Sequence, residues 1–405
     1  MTAAHTPDSR YAWFRLAVSL ALAIVGGIGL WCAVVVIPTI QAEFGIDRAG
    51  ASLPYTVTFV GFAAGGLVMG RLADRFGIIV PVSISAVGLG AGFILGALSQ
   101  SYWQLLAVQA VLVGMLGSAA TFGPLVADVS QWFLKRRGIA IAIAASGNYI
   151  AGAVWPPFLQ SAIEAHGWRA TYVALGLICT AIMLPLAQFL RRRPHFVDSA
   201  SPASGGAGQK GLLPRPRFLQ PMLVVAGLAC CVAMSMPQVH IVAYCADLGY
   251  GPARGAEMLA LMLGFGVASR LASGLIADRI GGLGTLIAGS ALQGLALLFY
   301  IPFDGLASLY VVSALFGLAQ GGIVPSYAMI VRDYFPAREA GRRISLVLTA
   351  TVFGMALGGW LSGEIYDWTG SYQAAFLNGI AWNLLNLAIA LRLLMGRRRG
   401  PAFAT

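Results

Sequence analysis

Nearly uninterrupted apolar stretches of about twenty residues recur along this chain, and they limit the folds that it can adopt. The 405 residues are 58% apolar and only 10% charged, whereas soluble domains carry about 25% charged residues. A helix of about 20 apolar residues crosses the hydrocarbon core of a bilayer. The sequence therefore predicts an all-α membrane protein with twelve transmembrane helices. Their approximate bounds are 14–38, 52–70, 79–98, 104–127, 138–162, 171–190, 219–244, 256–277, 283–302, 306–331, 344–365 and 373–395.

Lys and Arg residues concentrate on one side of these predicted spans. Only Arg48, Arg169 and Arg254 fall in loops on the opposite side, and Arg270 lies inside a span. Because basic loops stay in the cytoplasm, we expect a multi-pass protein of a bacterial inner (plasma) membrane with both termini cytoplasmic. The net charge of +11 then reflects topology and contact with anionic lipid, and we expect no nucleic-acid partner.

The longest polar stretch separates two groups of six predicted spans. Residues 191–218 are rich in Pro, Gly and Ser and have no apolar periodicity, which is typical of a flexible linker. The sequence therefore predicts an N-terminal six-helix bundle at 1–190, a cytoplasmic linker at 191–218 and a C-terminal six-helix bundle at 219–405.

A short charged motif occurs at matched positions in the two halves. It follows the second span and again the eighth, with an offset of 204 residues (278 − 74). Its glycines favour a tight turn between helices, and its charges suggest contacts that hold one conformation and break in another. A weaker similarity relates residues 166–172 to residues 369–376. The predicted conformational-switch residues are Gly70, Asp74, Arg75 and Gly77, and Gly274, Asp278, Arg279 and Gly281.

The repeated G-x-x-x-D-R-x-G pattern resembles the signature of the major facilitator superfamily. The resemblance covers essentially the whole chain. It implies the major facilitator fold, in which two six-helix bundles enclose a substrate site near the bilayer midplane. Transport by alternating access then follows as one half rocks against the other.

A second pattern narrows the choice within that superfamily. Residues 132–152, from Trp132-Phe-Leu-Lys-Arg-Arg to Gly152, resemble a pattern of the monocarboxylate transporter family, to which the oxalate–formate exchangers are related. Arg270 matches the arginine that binds the substrate carboxylate in that family. Two positions depart from the pattern. The acidic-Gly-aromatic signature before span one is missing at residues 10–13, and Gly266 stands where animal relatives carry an acid.

Arg270 is the strongest candidate for a substrate contact. An arginine deep in a span costs about 2.5–3.5 kcal/mol on insertion scales. Glu257 and Glu364 are predicted near the ends of spans eight and eleven, and the other Asp and Glu residues in loops or tails. A substrate carboxylate, gripped by the planar guanidinium as a fork, is the natural counter-ion for Arg270. The alternative is an arginine bound by backbone carbonyls and water.

Other polar and aromatic residues are predicted to line the same site. His240 follows Pro237, which disturbs its helix, so it either binds substrate or a proton or bonds the freed backbone. Asn148 is a candidate donor to substrate, with a helix–helix hydrogen bond as the alternative. The remaining candidates are predicted to line the cavity, with packing against a neighbouring helix as the alternative. They are Tyr149, Tyr327 in span ten, Trp31 in span one and Phe122 in span four.

These features predict a secondary active transporter and not an enzyme. We expect a small monocarboxylate such as lactate or pyruvate as the substrate, proton coupling, and a monomer in the bilayer without cofactor or metal. The five cysteines are expected to be packing residues. An anion exchanger of the oxalate–formate type would need a second cation at depth, and a drug efflux transporter would need a cavity acid. A non-transporting sensor would bind its ligand without flux.

Overall fold

The computed structural model describes residues 7–192, 216–335 and 337–398, and every regular element in these ranges is helical. This confirms the all-α fold class. Most of the predicted linker, residues 193–215, lies outside the described residues. The helices are α1 (Arg10–Gly26), α2 (Ile28–Val35), α3 (Ile37–Phe44), α4 (Arg48–Phe76), α5 (Ile79–Ala97), α6 (Tyr102–Val108), a π-helical segment (Gln109–Ser118), α7 (Gly123–Trp132), α8 (Arg137–His166), α9 (Trp168–Gln188), α10 (Pro216–Asp247), α11 (Pro252–Phe299), α12 (Leu306–Gln320), α13 (Ile323–Tyr334), α14 (Ala337–Thr369) and α15 (Tyr372–Arg398).

Within the described ranges, 11 helical stretches are long and apolar enough to cross a membrane. The longest, the 48-residue α11, is not one straight helix, because Gly281 has φ 76° and ψ 167°. These angles lie outside the helical region, so the chain turns there. Helix α11 therefore supplies two of the predicted spans, 256–277 and 283–302, and the described stretches together provide the twelve spans.

The internal repeat is visible in the backbone at glycines with positive φ. Gly77 ends α4 with φ 84° and ψ 164°, nearly the angles of Gly281, which lies 204 residues later (281 − 77). Glycine adopts this conformation without the strain that a Cβ atom would cause. Two further pairs recur at almost the same offset. They are Gly45 with Gly249 and Gly167 with Gly370.

Contacts divide the chain into two units, Met1–Ala200 with Ile241–Gly264, and Ser201–His240 with Phe265–Thr405. The first unit has an apolar core in which α5 packs on α9, with Phe93 and Tyr172 in edge-to-face contact. Large apolar side chains such as Leu98 and Leu275 are 65% and 71% exposed. In a membrane protein such side chains face lipid tails, which agrees with the predicted spans.

Three spans contain breaks. Span one is interrupted at Gly27 and Val36, span four at residues 119–122, and span ten at residues 321–322. A proline follows the break at Val36, the break at 119–122 and the break at 321–322. These prolines are Pro38, Pro124 and Pro325. Proline lacks an N–H and clashes with the carbonyl four residues earlier, which explains the ends of these helices. Broken helices leave backbone groups available inside a membrane protein, and transporters bind their substrates at such places.

Several acidic residues that the sequence places in loops belong to helices, and Asp128 is one that is also buried. Asp128 belongs to α7 and not to a loop, because the helix continues to Trp132, beyond the predicted end of span four at residue 127. Its side chain is 9% exposed, and its partner Arg15 in α1 is 1% exposed. The placement of every acid other than Glu257 and Glu364 in loops or tails is therefore wrong for Asp128.

Candidate functional site

Arg270 lies well inside α11, between its start at Pro252 and the turn at Gly281. Its side chain is half-buried. Since seven residues make about two helical turns, Arg270 is on the same face of α11 as Leu263. The backbone of this part of α11 packs closely against span ten. A Cβ atom on Gly321 would lie 2.5 Å from the backbone nitrogen of Arg270 and 2.6 Å from the Gly266 carbonyl oxygen.

The contact between α11 and the break in span ten is polar as well as close. Ser269 Oγ donates to the Leu318 carbonyl oxygen at 2.5 Å, in the last turn of α12. A Cβ on Gly322 would meet the Cβ of Ser273 at 2.5 Å. The small residues Gly266, Ser269 and Ser273, which flank Arg270, thus allow two backbones to approach. This approach fixes the position of Arg270 beside the broken helix.

Tyr327 in α13 is fully buried. Its hydroxyl donates to Asn386 Oδ1 at 2.8 Å, and Asn386 Nδ2 donates to Ser290 Oγ at 2.7 Å. The described contacts therefore connect Tyr327 to α15 and to the second half of α11. They do not bring Tyr327 together with Arg270.

His240 in α10 is also fully buried. Its Nε2 lies 2.7 Å from the Gly359 carbonyl oxygen, and because a carbonyl only accepts, Nε2 carries the proton. Two residues earlier, Gln238 Nε2 donates to Gln320 Oε1 at the end of α12. Gln238 and Gln320 are not among the site residues predicted from the sequence. The signal available was a glutamine inside an apolar span, which is expensive unless it is paired.

The structure brings two predicted residues of the first unit together. Trp31 Nε1 donates to Asn148 Oδ1 at 3.1 Å and to the Asn148 carbonyl oxygen at 3.0 Å. Both lie beside the break at Gly27, where a Cβ would be 3.7 Å from Asn148 Oδ1. On the other side, a Cβ on Gly152 would lie 2.7 Å from Trp31 Cε2 and would overlap Leu263. Trp31 and Asn148 therefore form one polar group at a broken helix.

Tyr149 and Phe122 are placed differently from that pair. Tyr149 is 7% exposed, whereas the adjacent Asn148 is half-buried. Phe122 is half-buried and precedes α7, with φ −126° and ψ −82° at the break in span four. It lies next to Thr121, whose side chain contacts Gly26 at the break in span one.

The matched turns of the two halves have exposed charges. Asp74 and Arg75 are exposed at the end of α4, and Asp278 and Arg279 at the equivalent place in α11. Among the residues that the structure describes, these four form no ion pair. Arg75 instead lies over the ring of Phe76, 5.1 Å from its centroid. The turn geometry is thus established, whereas the switching role of the charges stays a prediction.

Asp8 joins the segment before α1 to the basic segment before α8. Its carboxylate accepts from the backbone N–H groups of Leu134, Lys135 and Arg136 at 3.0–3.2 Å. Burial acts to raise the pKa of Asp8, but these three donors and the charge of Lys135 together hold the pKa below its usual value. This role is not evident from the sequence, although Asp8 stands just before residues 10–13, where the acidic signature of the resembling family is missing.

The described residues contain no group of three His, Cys, Asp or Glu residues placed to hold a metal ion. The five cysteines are buried and unbridged. Arg270 offers a charge, and Asn148 and the backbone at the broken helices each offer hydrogen-bonding groups.

Twelve spans in two matched halves, with polar groups at broken helices, define a membrane transporter of the repeat-built class. The chain belongs to the Major Facilitator Superfamily, whose family model matches residues 19–308 and 258–404. This confirms the family resemblance and the prediction that the protein is a transporter and not an enzyme.

Similar proteins include several named monocarboxylate transporters. The chain is 23% identical to monocarboxylate transporter 12 of Xenopus laevis, over 98% of this chain and 92% of that protein. It is 25% identical to monocarboxylate transporter 13 of Bos taurus, over 81% and 76% of the two chains. It is also 26% identical to the MFS-type transporter pynF of Aspergillus niger, over 74% and 68%.

Solved structures share the fold at low sequence identity. A bacterial homologue of the human lysosomal transporter Spinster, in its inward-facing and unoccupied conformation, superposes with a TM-score of 0.72 at 14% identity, over 96% of this chain and 98% of that one. The nucleoside transporter NupG gives a TM-score of 0.73 at 12% identity, over 94% and 99%. These likenesses support the fold alone.

Proposed function

We propose that the protein moves a small organic monocarboxylate, and that Arg270 binds the substrate carboxylate. The observation that carries the proposal is the position of a half-buried arginine inside α11, held against the break in span ten by the close approach at Gly321. Proteins named as monocarboxylate transporters among the relatives support the same substrate class. A guanidinium offers two parallel donors, which match the two oxygens of a carboxylate.

Asn148 is a second proposed substrate contact. Trp31 Nε1 is a donor only, so the amide atom that it meets at 3.1 Å is the acceptor Oδ1. The orientation of the amide is thereby fixed, and Nδ2 remains as a donor on a half-buried side chain. Lactate and pyruvate carry a hydroxyl or carbonyl oxygen beside the carboxylate. An acceptor oxygen of the substrate is the partner that we propose for Asn148.

Topology and coupling are part of the same proposal. The excess of Lys and Arg in the loops on the side of the termini supports cytoplasmic termini, and alternating access moves the site from one side to the other. Binding an anion at Arg270 favours a co-transported proton, because the charge moved per cycle is then smaller. The relatives named above are eukaryotic, so the bacterial inner membrane stays a prediction.

Counterflow in proteoliposomes tests the substrate class. Vesicles loaded with one unlabelled acid are diluted into labelled lactate, pyruvate, acetate, oxalate or a lipophilic cation, with and without a pH gradient. We expect lactate or pyruvate to accumulate, acetate to accumulate less because it lacks the second acceptor, and a gradient that is acidic outside to raise uptake. Accumulation of oxalate alone would favour the anion exchanger, and accumulation of the cation alone would favour drug efflux.

A further inference from the structure

Arg48 and Asp247 form an ion pair at one end of the first unit. Arg48 Nη2 donates to both carboxylate oxygens of Asp247, at 3.0 and 2.9 Å. The Arg48 side chain is 7% exposed and that of Asp247 is 33% exposed. Arg48 is the first residue of α4 and Asp247 the last of α10, so the pair joins the first repeat of the sequence to the second.

The neighbouring contacts define this end of the unit, which we call the distal end. It carries residues 43–50, 97–102, 167–169 and 247–252. Tyr102 donates its hydroxyl to the Gly50 carbonyl oxygen at 2.5 Å, and Arg169 donates to the carbonyl oxygens of Ala97 and Ser99 at 2.5 and 2.7 Å. The distal end is thus a network of hydrogen bonds between chain segments, with the Arg48–Asp247 pair at its junction with α10.

A comparison of the two repeats shows that equivalent acidic residues have different partners. Asp247 lies 204 residues after Glu43 (247 − 43), the same offset that relates the two matched turns. Glu43 is bound within its own repeat, by Arg169 Nη2 at 2.6 Å. Since Gly167 corresponds to Gly370, the position equivalent to Arg169 is Tyr372. The second repeat therefore has the acid without the arginine, and its acid binds Arg48 of the first repeat.

The segment that carries Asp247 lies against the N-terminal helices. Residues Ile241–Gly264 group with the first unit by their contacts. Leu263, at 1% exposure, fills the space beside Gly152 and Trp31. Ala153 lies opposite Gly264, because a Cβ atom on Gly264 would be 3.8 Å from the Cβ atom of Ala153. These contacts are apolar, and the Arg48–Asp247 pair adds a charged contact at the edge of the segment.

We propose that Arg48 and Asp247 are a latch that holds the distal end closed. When the distal end opens during transport, the segment 241–264 leaves the N-terminal helices, and the two charges must separate into water. The pair therefore weights the conformational equilibrium toward the distally closed state. The Glu43–Arg169 pair lies within one repeat and does not break in this step, so only the second repeat's acid has a switching role.

Labelling of a buried reporter cysteine tests the latch without any transported substrate. Leu263→Cys places the reporter on the segment where it contacts Gly152 and Trp31, and a membrane-impermeant maleimide is added from the distal side of reconstituted vesicles. The protein without this substitution gives the background from the native cysteines. In the Leu263→Cys protein, Arg48→Gln and Asp247→Asn are each expected to raise the labelling rate about tenfold, which corresponds to 1.4 kcal/mol.

Two controls separate loss of the pair from loss of structure. The double variant Arg48→Asp with Asp247→Arg restores the pair and is expected to return labelling to the slow parental rate. Glu257→Gln removes an exposed charge of the same segment, which pairs with Arg254, and is expected to leave the rate unchanged. The proposal is overturned if the single variants label as slowly as the parent, if Glu257→Gln labels as fast as they do, or if the double variant is not restored.

Discussion

At the scale of single residues, Arg15 and Asp128 form the most deeply buried ion pair described in the protein. Arg15 donates through Nε and Nη2 to the two carboxylate oxygens, both at 2.8 Å. It also donates to the Leu190 carbonyl oxygen at 3.2 Å and lies over the Trp132 ring, 4.7 Å from its centroid. A buried ion pair gives a protein about the same stability as apolar residues of similar volume would give at these positions. Removal of one partner, however, leaves a buried charge.

We therefore predict that Asp128→Asn destabilises the protein by about 3–5 kcal/mol. The measurement is the apparent melting temperature in detergent. Asp333→Asn, at an exposed position, is the matched control and should leave the melting temperature unchanged. The double variant Arg15→Leu with Asp128→Leu should recover most of the loss, since neither charge remains. Equal melting temperatures for Asp128→Asn and the parent would show that the pair contributes nothing.

Glu43 gives a prediction for pH. Burial acts to raise the pKa of Glu43, but hydrogen bonds from Trp168 and Arg169 and the charge of Arg169 together lower it below 4.5. A lowered pKa in the folded state contributes stability that is present above the unfolded pKa and is lost as pH falls through the folded pKa. As the pH is lowered past about 4.5, the melting temperature should therefore decrease. The decrease with pH should be less steep in Glu43→Gln. Glu257→Gln should keep the parental slope; a parental slope in Glu43→Gln would contradict the prediction.

At the scale of helices, glycines decide how closely neighbouring spans approach. A Cβ on Gly65 would overlap the Met115 carbonyl oxygen and lie 2.7 Å from the Ala119 Cβ, whereas a Cβ on Gly66 would meet nothing within 4 Å. The sequence shows a glycine-rich run at 61–66, and Gly61 and Gly65 make close contacts. It could not predict that Gly66 makes none, because the face that a helix turns to its neighbour depends on the tertiary packing.

These adjacent glycines form a matched pair for mutation. Gly65→Ala should lower stability by about 1–3 kcal/mol, because backbone atoms of the π-helical segment must move. Gly66→Ala should leave stability unchanged or raise it by up to about 1 kcal/mol, because alanine suits a helix better than glycine. Melting temperatures of the two variants in the same detergent check this, and a Gly65→Ala protein as stable as Gly66→Ala would contradict the packing described.

At the scale of the whole molecule, the twelve spans and the repeat were predictable because they depend on long-range patterns of the sequence. Apolar stretches follow from the thickness of the bilayer, and the turns at Gly77 and Gly281 follow from a motif that occurs twice. The partners of individual side chains were not predictable in the same way. Tyr327 is predicted to line the site but bonds Asn386, 59 residues away in the chain, and Asp247 pairs with Arg48, 199 residues away.

The contact between Trp31 and Asn148 shows which part of an arrangement the sequence does not predict. Both residues are predicted near the substrate because they are polar or aromatic groups at depth in lining spans. Their hydrogen bond depends on the breaks and packing at Gly27 and Gly152, which are properties of the folded units. The depth of Arg270 in span eight was likewise predictable, whereas its close contact with the broken span ten was not.

Counterflow by Arg270→Gln is the most direct test of the central claim. The variant, the parent and Arg254→Gln, which removes an exposed arginine, are reconstituted at equal amounts and loaded with unlabelled lactate or pyruvate. Uptake of the labelled acid is then followed. We expect the parent and Arg254→Gln to accumulate the labelled acid. Uptake by Arg270→Gln should remain at the level of vesicles without protein. Accumulation by Arg270→Gln at the parental rate would contradict the assignment of the substrate carboxylate to Arg270.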